Sequence, residues 1–532
     1  MNATTGAAAG RLDPVSLSVL VSALAAIAEE MGAVLVRSSY SSNIKERRDC
    51  SCALYDADGC LVAQAEHIPV HLGAMQESVR VVRERAAGPG DVFVLNDPYA
   101  GGTHLPDITM VSPVDYEGEV IGYAVNRAHH SDVGGMAPGS MPSSSRSIYQ
   151  EGLVVPPVRL VKAGELCGDV LDLVLANVRT PAVRRVDLLA QVAANAVGAE
   201  RMRALVARYG WDFVERACKE VIAYAERRTR QALLALPEGT YKASGELEGD
   251  GVEPGDIPVE VAVSVYRGTV TVDFAGTSGA VAGNVNCPRS VTLSACLFAL
   301  RCALPEDIPV NAGVAAALEI LLPPACLLDA RAPVAVVAGN VETSQRVADV
   351  VLAALGQVVE LPAAGQGTMN NLIIGGPTWS YYETIGGGQG AHSGGDGASG
   401  VHVGMTNTLN TPVEALELEF PVRVESYQLR YGTGGLGRYR GGDGTERRLR
   451  VLEPASVSII ADRRRHRPAG KHGGGDGACG ENLVDGLLVA PKFSAELQAG
   501  QVVAVLTPGG GGYGPAPRPA SGPPSQAGGP AS

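Results

Sequence analysis

The chain has 532 residues, of which 45% are hydrophobic and 19% are charged, and its formal net charge is -13. This length exceeds what one hydrophobic core usually serves, so we expect about two to four domains. An acidic chain of ordinary composition binds nucleic-acid phosphates and anionic lipid poorly, so neither nucleic acid nor a membrane surface is an expected partner.

Features of export and membrane insertion are absent from the sequence pattern. No run of about 18 consecutive apolar residues marks a membrane span. Residues 1–10 lack the basic and apolar regions of a secretory signal. The ten cysteines form no CxxC pair, and the closest two are Cys50 and Cys52. We therefore expect a cytoplasmic protein with free thiols rather than disulfides.

The first predicted element is a long helix. Residues 1–12 are small and polar and are predicted to be a flexible N-terminus. Asp13-Pro14 then combines an N-cap residue with proline at the first helical position. Apolar residues at helical spacing predict a helix to about Arg37; they are Val15, Val19, Leu20, Leu24, Ile27, Met31, Val34 and Leu35.

Hairpins are predicted next in the chain. Asp58-Gly59 is a turn between the strand-like segments 51–55 and 60–65. A second turn at Glu117-Gly118 separates the segments 108–114 and 120–126, and a buried strand is predicted at 92–95.

Helices and strands alternate over the rest of the chain. Further helices are predicted at 182–209, 211–236, 289–303 and 342–356, and a strand pair at 259–265 and 270–274. Residues 364–405 are rich in glycine, and a β-rich part follows to about 513. Residues 514–532 are almost only Pro, Gly, Ala and Ser, which predicts a disordered tail.

These elements predict a multi-domain α+β fold with hairpin-rich mixed sheets, packed helices and a β-rich C-terminal part. The predicted units are an N-terminal α/β metal-binding domain at 13–240, a central α+β domain with a glycine-rich loop at 241–412, and a β-rich C-terminal domain at 413–513.

Histidine and aspartate residues are predicted to converge at one end of the second hairpin. With the turn centred on Gly118, Asp107 lies eleven residues before it and His129 eleven after it. A regular antiparallel register would place these two residues side by side, with His104 one short loop away. Two imidazoles and a carboxylate form a coordination shell for a divalent ion.

Asp49, just before the strand at 51–55, is a candidate fourth ligand. Two histidines and two aspartates without thiolate suit Zn²⁺, Mn²⁺ or Fe²⁺. A simpler alternative is that these residues cap turns at strand ends, since HxxD is a weak pattern. His129 and His130 would face opposite sides of a strand, so spacing alone does not decide which of them binds a metal.

Other polar features have open interpretations. The segment Gly386–Gly404 could cradle a phosphate with backbone N–H groups, or could be a loop near the active centre or an interface. It lacks the spacing of a P-loop. His67 and His71 are interpreted first as core or near-site residues. Asp132 could orient His129 or His130.

Several segments resemble signatures of the hydantoinase B/5-oxoprolinase family. They are spread in order over most of residues 13–514 and are 43–49, 65–73, 96–107, 126–135, 341–345, 367–371, 382–388 and 407–412. The resemblance, which extends to acetone carboxylase and caprolactamase subunits, implies a metal held by His104, Asp107 and His129. Asp49 matches a further ligand position of the family.

The resemblance also implies a function. A separate hydantoinase A-type ATPase subunit would use ATP to phosphorylate a cyclic amide such as hydantoin or 5-oxoproline, and this chain would hydrolyse the product within a hetero-oligomer. Asp107, His129, His130 and Asp132 are the expected catalytic residues. Two alternatives remain: a subunit of an ATP-dependent ketone carboxylase, and a non-catalytic assembly subunit.

Overall fold

The computed structural model describes residues 13–66 and 68–516, apart from the side chain of Glu66. The expectations for residues 1–12, for His67 and for the tail beyond 516 lie outside the described residues. Helices alternate with four mainly antiparallel sheets, which confirms the predicted α+β fold. All ten cysteines are free thiols.

The first sheet has seven strands in the order β2-β1-β5-β4-β3-β6-β7. They are β1 Cys50–Asp56, β2 Leu61–Glu66, β3 Val92–Leu95, β4 Asp107–Tyr116, β5 Glu119–His129, β6 Val158–Lys162 and β7 Glu165–Leu166. Both predicted hairpins are confirmed, as β1–β2 and β4–β5. Asp107 is the first residue of β4 and His129 the last of β5, so both lie at the same end of this sheet.

Seven helices accompany the first sheet: α1 Pro14–Ser38, α2 Ser42–Lys45, α3 Met75–Arg83, α4 Ile148–Glu151, α5 Gly168–Ala176, α6 Pro181–Tyr209 and α7 Trp211–Leu234. The predicted start of α1 is confirmed, because the Asp13 carboxylate accepts the N–H groups of Val15 and Ser16. Gly210, with φ of +83°, separates α6 from α7 as predicted.

By length and composition alone, helix α1 is apolar enough to cross a membrane. One face of it is buried, at Leu20, Leu24 and Leu35 among others. This face belongs to a core that α1 shares with β1, β2 and α6. The core packing accounts for the apolar composition of this face.

The second sheet packs on helices and forms the largest core. Its strands are β8 Gly239–Glu248, β9 Asp256–Tyr266, β10 Thr269–Asp273 and β11 Leu318–Leu321. Helices α8 Arg289–Cys302 and α9 Ala312–Ala315 lie between β10 and β11 in the chain, and α10 Ser344–Leu355 follows β11. A π-helical turn over Gly339–Thr343 precedes α10, so this helix begins two residues later than predicted. That turn is close to the candidate site.

The C-terminal part is β-rich. Its elements are β12 Asn371–Gly376, β13 Trp379–Glu383, α11 Val413–Glu419, β14 Val422–Arg430, β15 Gly444–Val451, β16 Ala455–Ile460, β17 Glu481–Val484, β18 Leu487–Val489, β19 Lys492–Leu497 and β20 Val502–Leu506. They form two sheets, β13-β12-β16-β19 and β14-β15-β20-β17-β18. Pairing of β12 with β16 crosses the predicted domain boundary at 412.

Glycine-rich segments pack against one another through their backbones. Gly388 donates its N–H to the Pro508 carbonyl, Gly442 to Gln389, and Gly510 to Gly442. A Cβ atom added to Gly388 would lie 2.1 Å from backbone atoms, so only glycine fits. Within Gly386–Gly404, backbone carbonyls also accept the N–H groups of Gly387, Gln389, Gly395, Gly397 and Gly400, so these groups are not available to a phosphate as the cradle hypothesis requires.

Candidate metal centre

Three buried side chains meet at the end of the β4–β5 hairpin. Asp107 and His129 are direct partners in the β4–β5 register, as predicted. The Asp107 Oδ1 atom lies 3.0 Å from His104 Nε2 and 3.1 Å from His129 Nδ1. The two imidazole nitrogens are 3.2 Å apart. The predicted convergence of His104, Asp107 and His129 is therefore present.

This donor set fits a divalent metal ion. Ligand bonds of about 2.0–2.2 Å around one ion bring neighbouring ligand atoms to about 3.0–3.4 Å from each other, which matches the spacing in this cluster. A shared ion also explains why two imidazole nitrogens and a carboxylate oxygen are directed to one point. Each of the three residues offers one ligand atom, and all three residues are buried.

Asp107 is held as an anion. Burial alone raises the pKa of its carboxyl, but the charge of His104 and hydrogen bonds from His104, His129 and His71 outweigh burial and lower the pKa well below the ordinary value. The second carboxylate oxygen, Oδ2, accepts a hydrogen bond from the Thr103 hydroxyl at 2.6 Å and one from the Asn340 amide at 3.3 Å. A metal ligand must be deprotonated, and Asp107 meets this condition.

The His104 ring is oriented by the segment before the π-helical turn. Its Nδ1 atom lies 3.3 Å from the Val337 carbonyl oxygen, which leaves Nε2 facing Asp107. Glu151 in turn accepts the backbone N–H groups of Val336 and Val337, both at 3.0 Å. Burial raises the pKa of Glu151 to about 7, although these N–H groups lower it. Such a carbonyl contact fixes both the tautomer and the ring plane of a ligand histidine.

His129 is covered by a residue from the C-terminal part. The Tyr382 ring stacks on the His129 ring with centroids 4.6 Å apart. The Tyr382 hydroxyl donates to Asn371 Oδ1 at 2.9 Å. The guanidinium of Arg47 lies over the Tyr382 ring, 5.1 Å from the ring centroid. Strand β13 thus closes the site over the first sheet.

His71 also reaches the cluster. Its buried Nε2 atom lies 3.5 Å from Asp107 Oδ2, at the outer limit of hydrogen-bond distance. Its Nδ1 atom is 3.0 Å from the Ser51 hydroxyl. Of the two sequence interpretations of His71, the near-site one therefore fits. The sequence analysis did not single out Tyr382 and Asn340 as site residues. They lie in or beside the family-like segments 382–388 and 341–345, and those segments were the available signal for them.

Asp49 is close to the cluster through its backbone. The Asp49 carbonyl accepts the His129 N–H at 3.0 Å, and the residue is buried. Burial lowers the pKa of His129, and the hydrogen bond with Asp107 and the charge of Asp49 oppose this shift without outweighing it. In the part of the chain that the structure describes, the group of candidate ligand atoms consists of His104, Asp107 and His129 and does not include the Asp49 carboxylate.

His130 and Asp132 do not join the cluster. His130 has its Nε2 atom 2.9 Å from Gln191 Oε1 on α6. Burial and the charge of Arg184 lower its pKa to about 4. The Asp132 carboxylate accepts the N–H groups of Gly134, Gly139 and Arg179, and pairs with the Arg179 guanidinium at 2.9 Å. The hypothesis that Asp132 orients a histidine is therefore wrong, because its oxygens hold a turn instead.

A cavity of about 540 Å³ adjoins the segments that carry these residues. It lies between α8, α10 and the segments 361–367 and 402–407, and we call it the α8–α10 cavity. Its lining includes Pro69, Gln345 and Asn407. In the sequence, these residues are close to His71, Asn340 and Thr408, respectively. A second cavity of about 600 Å³ is lined by Tyr99 and Ser290 among others. The cluster itself lines neither cavity.

The fold and the buried His-Asp-His cluster define an α+β protein with a candidate metal centre. The sequence model of the hydantoinase B/oxoprolinase family matches residues 13–516, and the chain belongs to this family. It is 40% identical to 5-oxoprolinase 1 of Arabidopsis thaliana over 94% of this chain. The chain spans only 42% of the length of that enzyme.

Solved structures share the fold. The ATP-dependent caprolactamase from Pseudomonas jessenii superposes with a TM-score of 0.88 at 29% identity, over 96% of this chain and 93% of that one. An acetone carboxylase has a TM-score of 0.82 at 18% identity, over 94% of this chain and 76% of that one. The second likeness concerns the fold alone.

Proposed function

We propose that this chain is the metal-dependent catalytic subunit of an ATP-dependent cyclic-amide hydrolase. The observation that carries the proposal is the buried cluster of His104, Asp107 and His129 in a chain of the hydantoinase B/oxoprolinase family. The names of the relatives, 5-oxoprolinase and caprolactamase, support a cyclic amide as the substrate class.

In this proposal His104, Asp107 and His129 hold one divalent ion, Zn²⁺, Mn²⁺ or Fe²⁺. Asp49, whose carboxylate lies outside this group of ligand atoms, stays a further candidate ligand on the family resemblance alone. When bound, such an ion supplies Lewis acidity and lowers the pKa of water toward neutrality. The chain positions these ligands in advance: Thr103 and Asn340 fix the Asp107 carboxylate.

The same residues keep bulk water away from the reacting centre. The Tyr382 ring lies on His129, and the cluster residues are nearly without solvent exposure. Low exposure strengthens each electrostatic contact with the substrate. His71, with its Nε2 atom beside Asp107, is our candidate for holding a proton during hydrolysis. It replaces His130 and Asp132 in that role, because those two residues are directed to α6 and to a turn.

The proposed division of labour assigns ATP to a partner. The sequence carries no P-loop spacing, and an amide in an unstrained ring is a poor electrophile. A hydantoinase A-type subunit would phosphorylate the amide oxygen, which makes the ring carbon open to attack by water. More than half of the Arabidopsis 5-oxoprolinase lies outside the match, which leaves length for such a part within that single chain.

The decisive experiment is co-purification of the chain with a hydantoinase A-type subunit from the same organism. The complex is incubated with ATP and a panel of cyclic amides, and ADP release and ring-opened product are measured. We expect ATP-dependent ring opening of at least one amide. A parallel assay of labelled bicarbonate incorporation into ketones tests the carboxylase alternative. Carboxylation without amide hydrolysis, or no reaction in either assay, would overturn the proposal.

A further inference from the structure

The two histidines of the cluster are oriented by different means. His104 has its second ring nitrogen at the Val337 carbonyl, which is the usual way in which a protein fixes a ligand imidazole. His129 has its Nδ1 atom 3.1 Å from Asp107, but its buried Nε2 atom has no hydrogen-bond partner among the described residues. The orientation of the His129 ring therefore depends on what packs against its face.

Tyr382 supplies this face contact. Its ring is stacked on that of His129 at an interplanar angle of 24°, with the ring centroids 4.6 Å apart. A stacked ring orients its neighbour only when it is itself held in place. The Arg47 guanidinium donates to the backbone carbonyl of Tyr382, and the Tyr382 hydroxyl donates to Asn371 Oδ1 at 2.9 Å. Tyr382 is thus held both at its backbone and at the far end of its side chain.

A buried carboxylate holds Asn371 in turn. The Asn371 amide donates from Nδ2 to Glu342 Oε1 at 2.9 Å and to the Ile460 carbonyl at 2.7 Å. With Nδ2 fixed by these two acceptors, Oδ1 is left to face the Tyr382 hydroxyl. Glu342 is fully buried, and its Oε1 atom also accepts the Met369 N–H at 3.1 Å. A chain of contacts therefore runs from this carboxylate to the His129 ring.

The π-helical turn that carries Glu342 also holds Asp107. Asn340, two residues before Glu342, donates from its amide to Asp107 Oδ2 at 3.3 Å. The turn is pressed against a neighbouring segment, because a Cβ atom added to Gly339 would lie 1.9 Å from the Asn286 carbonyl oxygen. π-helical turns occur frequently at functional sites. Two candidate ligands of the cluster thus depend on one turn.

From these contacts, and resting on the proposed function, we propose that Glu342 is a positioning residue of the metal centre. It acts on His129 through Asn371 and Tyr382, while its own π-helical turn holds Asp107. The N-terminal part of the chain therefore supplies the ligands, and later parts of the chain supply the orientation of two of them.

The test uses the full chain loaded with Co²⁺, whose visible absorption spectrum depends on the geometry of its ligands. Affinity for Co²⁺ is measured by competition with a chelator, and thermal melting measures stability. Tyr382→Phe removes only the hydroxyl that reaches Asn371, so the affinity should fall by about 3- to 10-fold and the spectrum should change. Glu342→Ala should lower the affinity by about 10- to 100-fold. Glu342→Gln keeps a carbonyl acceptor for Asn371 and should recover most of this loss.

The double variant Glu342→Ala/Tyr382→Phe shows whether the two residues act in one chain of contacts. Its affinity should equal that of Glu342→Ala within about twofold, because the hydroxyl has no further effect once its acceptor is displaced. Losses that multiply would overturn the inference. So would variants that melt at a lower temperature but keep the affinity and spectrum of wild type. If Glu342→Ala does not fold, Tyr382→Phe alone decides between these outcomes.

Asp91→Ala is the matched control. Asp91 is also buried and accepts two backbone N–H groups, those of Gly88 and Ala163, but it precedes β3, whereas the loop with His104 follows that strand. This variant should melt at a lower temperature and keep its Co²⁺ affinity within about twofold. An equal loss of affinity in Asp91→Ala would overturn the inference, because lower stability would then explain every loss. A wild-type chain that binds no Co²⁺ refutes the metal site of the proposed function and this inference with it.

Discussion

Asp107 and His129 face each other across β4 and β5 because the hairpin between them is irregular. Near the turn, Tyr116 pairs with Glu119, and a register shift follows between Val114 and Asp115. Without the shift, the register at the turn would bring Ala128 opposite Asp107. Because of the extra residue on β5, the side chains of His129 and Asp107 lie on the same face of the sheet. Bulges near functional sites usually redirect side chains in this way.

The first prediction concerns metal content. We expect about one divalent ion per purified chain, measured by elemental analysis, because three buried ligand atoms converge. The double variant His104→Ala/His129→Ala should lose it. His130→Gln should keep it, since His130 contacts Gln191 on the other side of the strand. Full metal content in the double variant would refute the ligand assignment.

The second prediction separates the two half-reactions. Asp107→Asn keeps the shape of the side chain but removes its negative charge, so ring opening should fall by orders of magnitude, about 10²-fold or more. ADP release should persist in part, because the partner subunit is intact. ADP and ring-opened product are measured in the same reaction, and gel filtration checks that the subunits still associate. Normal product formation in the variant would contradict the role given to Asp107.

The third prediction is that the chain alone neither hydrolyses ATP nor opens rings at a useful rate. The reason is that the sequence has no P-loop spacing, although the His-Asp-His cluster is complete. An ATPase assay on the metal-loaded chain, with and without the A-type subunit, measures this. Turnover by the isolated chain that matches the complex would show that ATP binds here after all.

The fourth prediction concerns Glu151, which acts on His104 through the Val337 peptide. Glu151→Ala removes the acceptor of two buried N–H groups, so the Val337 carbonyl should lose its fixed position. Metal affinity, measured by competition with a chelator, should fall by about 10- to 100-fold. Glu151→Gln keeps one carbonyl acceptor and should lose less. An unchanged affinity in Glu151→Ala would separate this carboxylate from the site.

The fifth prediction is a pH dependence of stability. Burial and the charge of Arg47 lower the pKa of His402 from its ordinary value of 6.5 to about 3 in the folded chain. The unfolded chain therefore binds a proton first as the pH falls, so His402 contributes stability above about pH 6.5 that is lost progressively toward pH 3. His402→Gln should reduce the drop in melting temperature between pH 7 and pH 5. An identical drop in both proteins would show that His402 is solvated.

Local pattern accounts for much of the agreement between sequence and structure. The N-cap at Asp13, the turns at Gly59 and Gly118 and the break at Gly210 depend on residues within a few positions of each other. Helix and strand periodicity act over the same range. For that reason the sequence also predicted that Asp107 and His129 meet, although it assumed a regular register and thus missed the bulge.

The surroundings of the cluster were decided by tertiary structure. Asn340 reaches Asp107 from 233 residues further along the chain, and Tyr382 reaches His129 from the C-terminal part. Such contacts follow from how the sheets pack, which no local spacing encodes. His130 and Asp132 show the converse: they are close to His129 in sequence, yet a helix and a turn engage their side chains. The sequence by itself determined the elements and the ligand types, and packing determined which side chains surround them.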